Sequence, residues 1–148
     1  MYDVRTRYLA DAVATAGPAK LLTMLYDRLL LDLDRAETAL RSGVRAEGTQ
    51  QLAHAQEIVA EFIANLNVGE WDGGDRLLSV YTFLLSELIA ASTAGDAERV
   101  VACRALVAPL AEAWREAALV VAKDVPTQRP APSFDTADAG SGGVLGVG

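Results

Sequence analysis

The chain has 148 residues, 51% of them apolar, which suits one domain with one core. Its 20 carboxylates outweigh 13 lysines and arginines for a net charge of −7, so it lacks the surplus of cations that binding to duplex nucleic acid or an anionic bilayer demands. One cysteine, Cys103, excludes an internal disulfide, and with one histidine, His54, no Cys/His metal cluster can form.

The N-terminal stretch MYDVRTRYLADAVATAG carries charges and no run of signal-peptide type. Its residues Val4 to Ala14 predict a short extra helix with Tyr8, Leu9, Ala12 and Val13 on one side. Such a helix is too short to be stable alone in water. The first long helix is predicted from Pro18, since proline suits a position whose N–H would lack a partner. Thr15 or Gly17 is its cap, and its stripe is Leu22, Leu25, Leu29, Leu33, Ala36 and Leu40. Ser42-Gly43 ends it, with Gly43 in the left-handed conformation. The run Asp32, Asp34, Arg35, Glu37 reads as a solvated face.

A second helix is predicted from Arg45 to Leu66, with Leu52, Ala55, Val59, Phe62 and Leu66 on its apolar face. A third covers Gly74 to Ser92, capped by Asp72 or Asp75. The fourth, capped by Asp96, covers Ala97 to Lys123, with a kink or break expected near Ala105–Pro109 because proline removes a helical hydrogen bond. Short connections pack such helices antiparallel. The expected fold is all-α: an antiparallel up-down four-helix bundle over residues 1–123, with a short extra N-terminal helix. Residues 124–148, rich in glycine and proline, form a tail with too few large apolar side chains to order it, so disorder is expected there. The most apolar stretch, around Leu21 to Leu33, is interrupted by Asp27, Arg28 and Asp32 and is too polar to span a bilayer. No membrane insertion is expected, and the expected location is cytoplasmic.

Catalytic and cofactor chemistry finds no foothold. A di-iron bundle needs Glu-x-x-His pairs, and His54 has Gln51 three positions earlier. A Ser or Cys nucleophile needs a base held beside it. Gly73-Gly74 has no lysine placed as in a phosphate-binding loop. His54 reads as a partly exposed helix residue and Cys103 as a small buried hydrophobe. No cofactor, no metal and no enzyme activity are expected.

What the sequence does carry is breadth of apolar surface. Leu29, Leu30 and Leu31 are consecutive, so they point about 100° apart. Leu21, Met24, Leu25 and Tyr26 repeat that breadth one turn earlier, and Leu77-Leu78 and Phe83-Leu84-Leu85 do so in the third helix. Two readings stay open. The middle helices of a bundle each touch two neighbours, which alone widens the arc. Alternatively, part of the arc lines a groove for a partner's apolar helix. Trp71 and Trp114 read first as core or loop packing.

Several segments resemble one family, in order along residues 2–122. They are Tyr8-x-x-x-x-Val13-x-Thr15-Ala16-x-Pro18-x-x-Leu21-x-x-Met24-Leu25-Tyr26-Asp27, then Leu33-x-x-Ala36-x-x-Ala39-Leu40, Ala55-Gln56-Glu57-Ile58-Val59 and Leu66-Asn67. Leu77-Leu78-x-x-Tyr81-x-x-Leu84 and Ala113-Trp114-Arg115-Glu116-Ala117 complete the set. Together they resemble the FliS family of flagellar secretion chaperones. The resemblance implies a helical bundle that binds the C-terminal segment of flagellin 1:1 in the cytosol. It would prevent premature polymerisation and deliver flagellin to the flagellar type III export apparatus, whose components are further candidate partners. It places the flagellin surface on Leu22, Met24, Leu25, Tyr26, Leu29, Ile58, Val59, Phe62, Leu78, Tyr81 and Leu85. Tyr8, Leu9 and Val13 fall in an N-terminal regulatory segment that either competes for that surface or simply caps the bundle. The alternative is a helical homodimeric regulatory or scaffold protein without a secreted client.

Overall fold

A computed structural model describes residues 17–70 and 72–124. The predicted N-terminal helix, with Tyr8, Leu9 and Val13, lies outside the described residues, as do Trp71 and the tail from residue 125. Four long helices follow in order: α1 Pro18–Arg41, α2 Arg45–Ala64, α3 Gly74–Ala94 and α4 Ala97–Asp124, with a 3-10 turn at Val68–Glu70. No strand occurs among the described residues. Close packing divides the chain into one unit up to Glu116 and a second from Ala117 onward.

The helix ends follow local chemistry. Gly17 precedes α1 in extended conformation, and its carbonyl accepts the Leu21 N–H at 2.9 Å. Gly43 closes α1 at φ 80°, and Gly95 closes α3 at φ 64°, both in the left-handed region. Asp96 Oδ1 accepts the N–H groups of Glu98 (3.0 Å) and Arg99 (3.3 Å), the expected cap of α4.

Two expectations change. Neither Asp72 nor Asp75 caps α3: Gly73 precedes it without a side-chain bond, and Asp75 sits in the first turn. The reason is steric. A Cβ on Gly74 would lie 2.5 Å from the Val68 carbonyl oxygen, so the 3-10 turn closes directly onto the start of the helix. The expected break near Ala105–Pro109 is also absent, for α4 is one continuous helix through Pro109. Ala105 and Pro109 both face solvent, so water can reach the carbonyl that proline leaves without a donor.

The helices run alternately up and down. Leu40 lies against Gly48, and the Tyr26 ring stacks on Phe62 with centroids 4.6 Å apart, so α1 and α2 are antiparallel. Phe62 meets Tyr81 at 5.3 Å, and Arg45 donates to the Thr93 carbonyl at 2.7 Å, which sets α3 antiparallel to α2. Arg99 pairs with Glu87 across α3 and α4 at 2.9 Å. Three ion pairs tie α4 back to α1: Arg115–Asp27 (2.7 Å), Arg104–Asp34 (2.6 Å) and Glu98–Arg41 (2.9 Å). The α1 members advance by seven residues as the α4 members recede.

The core combines Leu29, Leu33 and Ala36 with Leu52, Ala55 and Val59, Leu84 and Leu88, and Val100, Cys103 and Val107, all at most 1% exposed. Each buried leucine stabilises the fold by roughly 1.5–3 kcal/mol. Asp32 belongs to this set too, at 0% exposure, which corrects its assignment to a solvated face. At helical spacing it shares the stripe of Leu29, Leu33 and Ala36. Arg28 Nε donates to its Oδ1 at 2.9 Å, and His54 Nδ1 bonds its Oδ2 from α2.

A second correction concerns apolar stretches. Among the described residues, the helix long and apolar enough by length and composition to cross a membrane is α3, not Leu21 to Leu33; its 18-residue window has a mean hydropathy of 1.5. Leu77, Tyr81, Leu84, Leu88 and Ala91 of α3 face the core, while Phe83 and Ile89 are exposed. Packing of that stripe in the bundle accounts for the buried part of this apolar content.

Candidate functional site: an apolar cleft at one end of the bundle

An up-down bundle gathers the start of α1, the end of α2, the start of α3 and the Trp114 turn of α4 at one end. There the core opens into a cleft of about 540 Å³. Ligand pockets commonly fall at ~300–1,000 Å³. Pro18, Leu21, Leu22 and Leu25 form one wall. Phe62 and Leu66 of the α2 end, Leu77 and Tyr81 of α3, and Trp114 of α4 complete the apolar lining. The polar lining is confined to Glu61, Asn65 and Asn67, all exposed at the end of α2 and in the loop after it.

Behind the lining is a small buried polar group. The Tyr81 hydroxyl meets the Tyr26 hydroxyl at 2.5 Å, with the Phe62 ring beside both tyrosine rings. Burial removes water from both phenols and raises both pKa values; the hydrogen bond between them adds to the rise at Tyr26 and opposes it at Tyr81. The nearby Trp114 indole pulls each in the opposite direction. One hydroxyl donates to the other behind the lining, and the cleft presents chiefly ring faces and aliphatic groups.

Of the residues expected on the client surface, four line this cleft: Leu22, Leu25, Phe62 and Tyr81. Tyr26 and Ile58 are buried, at 1% and 5% exposure, and Leu29 and Val59 at 0% have no free surface. Met24, Leu78 and Leu85 are half-buried away from the cleft lining. The expected client surface left out Pro18, Leu21, Leu66, Leu77 and the polar wall Glu61, Asn65 and Asn67, and Trp114 was assigned to packing. Trp114 does pack on the core, but it also lines the cleft. Their common signal is position at helix ends that an up-down topology brings together.

His54 is half-exposed and held by Asp32, and Cys103 is buried with its thiol pushed up to about 11 by desolvation. No group of three or more metal-ligating side chains occurs among the described residues.

A helical bundle with an open apolar cleft has a surface suited to an apolar ligand or helix. Comparison with known families narrows the choice. Residues 1–121 match the family described as Flagellar protein FliS, and the chain belongs to that family. It is also 27% identical over 109 residues to the flagellar secretion chaperone FliS of Salmonella typhimurium (strain LT2), covering 72% of this chain and 80% of that protein. The family is one of chaperones, not enzymes.

Proposed function

We propose that this protein is the cytoplasmic export chaperone of a flagellin. Its cleft takes an apolar helix from the flagellin C-terminal segment, one client per chaperone. Holding that segment prevents premature polymerisation until the complex reaches the flagellar type III export apparatus. Family membership supports the flagellar role. The cleft lined by Leu22, Leu25, Phe62 and Tyr81 is the observation that carries the binding mode.

The physical mode is helix-in-groove recognition coupled to folding of the client. Ordering such a segment costs ~2–5 kcal/mol or more, which leaves a complex both firm enough to hold and loose enough to release.

The test is co-purification with flagellin from the same cell, intact and shortened by its C-terminal ~40 residues, a length that at ~1.5 Å per residue outspans the bundle. Intact flagellin forms a 1:1 complex, the shortened form does not, and Leu25→Asp in the cleft wall abolishes binding. Equal binding of both flagellins sinks the proposal. A tight homodimer that flagellin fails to dissociate, seen by light scattering, favours the alternative regulatory role.

A further inference from the structure

The cleft is asymmetric in charge, and the asymmetry breaks a rule of helix design. Helix C-termini carry partial negative charge from carbonyls without partners, and a lysine or arginine in the last turn ordinarily complements it. The last turn of α2 contains no basic residue. It contains Glu61 instead, the one charged side chain among the described residues of the cleft lining. The Asn65 side-chain amide donates to the Glu61 carbonyl and to Glu61 Oε2, both at 2.9 Å, which holds the carboxylate at the rim. None of the ion pairs among the described residues involves Glu61. A carboxylate and a helix C-terminus thus stand together beside an apolar cleft, with no cation from the described residues set against them.

We infer that Glu61 is a specificity-determining residue of the cleft, and that the cation missing from the end of α2 comes from the bound client. This rests on the chaperone reading and adds the chemistry of the segment recognised. The occupant is an amphipathic helix whose apolar face fills the cleft and whose flank carries a lysine or arginine against Glu61 and the last α2 carbonyls. The apolar wall supplies affinity, and the charged rim sets orientation and register. A client helix laid in the reverse direction, or with a carboxylate at that flank, meets repulsion. The rim thereby rejects wrong segments as well as favouring the right one.

The experiment uses the full chain and a C-terminal fragment of flagellin, titrated by calorimetry. Glu61→Gln weakens binding about twofold to fivefold, the scale of a solvent-exposed ion pair. Glu61→Lys weakens it about tenfold or more, because reversal turns attraction into repulsion. Thermal stability discriminates a recognition role from a structural one. A lysine complements the end of α2, so Glu61→Lys leaves the melting temperature unchanged or raises it while affinity falls. Replacing each lysine and arginine of the fragment by glutamate then identifies the partner: one such fragment binds Glu61→Lys more tightly than wild type. If both Glu61 variants bind as wild type while Leu25→Asp does not, the inference is overturned and the chaperone reading stands. If Leu25→Asp also binds as wild type, the cleft itself is the wrong site.

Discussion

Asp32 is the residue where charge and burial meet most sharply. A carboxylate with no exposure has lost its water and needs a hydrogen-bond partner on each oxygen to offset that loss. Arg28 supplies one bond from its own helix, and His54 supplies the other from α2, so the pair also pins α1 to α2. Truncating His54 leaves Oδ2 of Asp32 buried without a partner. His54→Ala should therefore lower the unfolding free energy by about 1–3 kcal/mol in a urea titration. Adding Asp32→Leu should recover much of the loss, since an apolar side chain of similar size needs no partner. If His54→Ala is silent, Asp32 is not held as described. The burial of Asp32 is legible in principle, because its spacing from Leu29 and Ala36 matches the core stripe. Its charged neighbours Asp34 and Arg35 do face outward, and they give the whole run the look of a solvated face.

At the scale of elements, Gly43 and Gly95 end α1 and α3 and Asp96 caps α4 as capping chemistry predicts, while α3 starts without the expected aspartate cap. α4 departs from its propensity. Its continuity through Pro109 means that tertiary packing of Val107 and Ala111 on the core outweighs the missing bond. The helix carries that cost as a standing penalty on its solvent face. Pro109→Ala restores the N–H donor to the Ala105 carbonyl and relieves the ring clash. It should stabilise the protein by about 1–3 kcal/mol, read as a higher urea midpoint with unchanged helical content. A lower midpoint would mean that the proline is needed for packing. In α3 the composition suits a membrane span, yet its apolar residues divide between a core stripe and exposed Phe83 and Ile89. That division is a property of packing and is invisible to a hydropathy average.

For the whole molecule, the hydroxyl pair Tyr26–Tyr81 joins α1 to α3 through the centre of the bundle, behind the cleft. Both folded-state pKa values are raised above the ordinary value of 10.0. A group so shifted contributes its full stability below the unfolded value and loses it as pH rises toward the folded one. Stability should thus be level in this respect up to about pH 9 and fall above pH ~10. Phenolate absorbance at these two tyrosines should grow only as the bundle unfolds. In Tyr81→Phe, with one hydroxyl removed, the alkaline fall should be shallower. Phenolate signal from both tyrosines in a still-folded bundle would contradict the burial. Around this centre, the ion-pair ladder between α1 and α4 contributes little energy per rung at the surface. It does penalise a shifted register, because displacement by one rung places Asp34 beside Glu98 in one direction and Arg41 beside Arg104 in the other.

The residues alone determined the helical class and the starts of the four long helices, because caps, proline, glycine and apolar spacing act within a few residues of one another. They also held the family's pattern. Which apolar side chains the protein keeps for itself was settled by tertiary structure. Leu29 and Val59 look no different in sequence from Leu22 and Leu25, but the first pair lies mid-bundle, where neighbours cover every face, and the second at an end, where the helices part. A cleft arises from the distance between elements, and local periodicity carries no information about that distance.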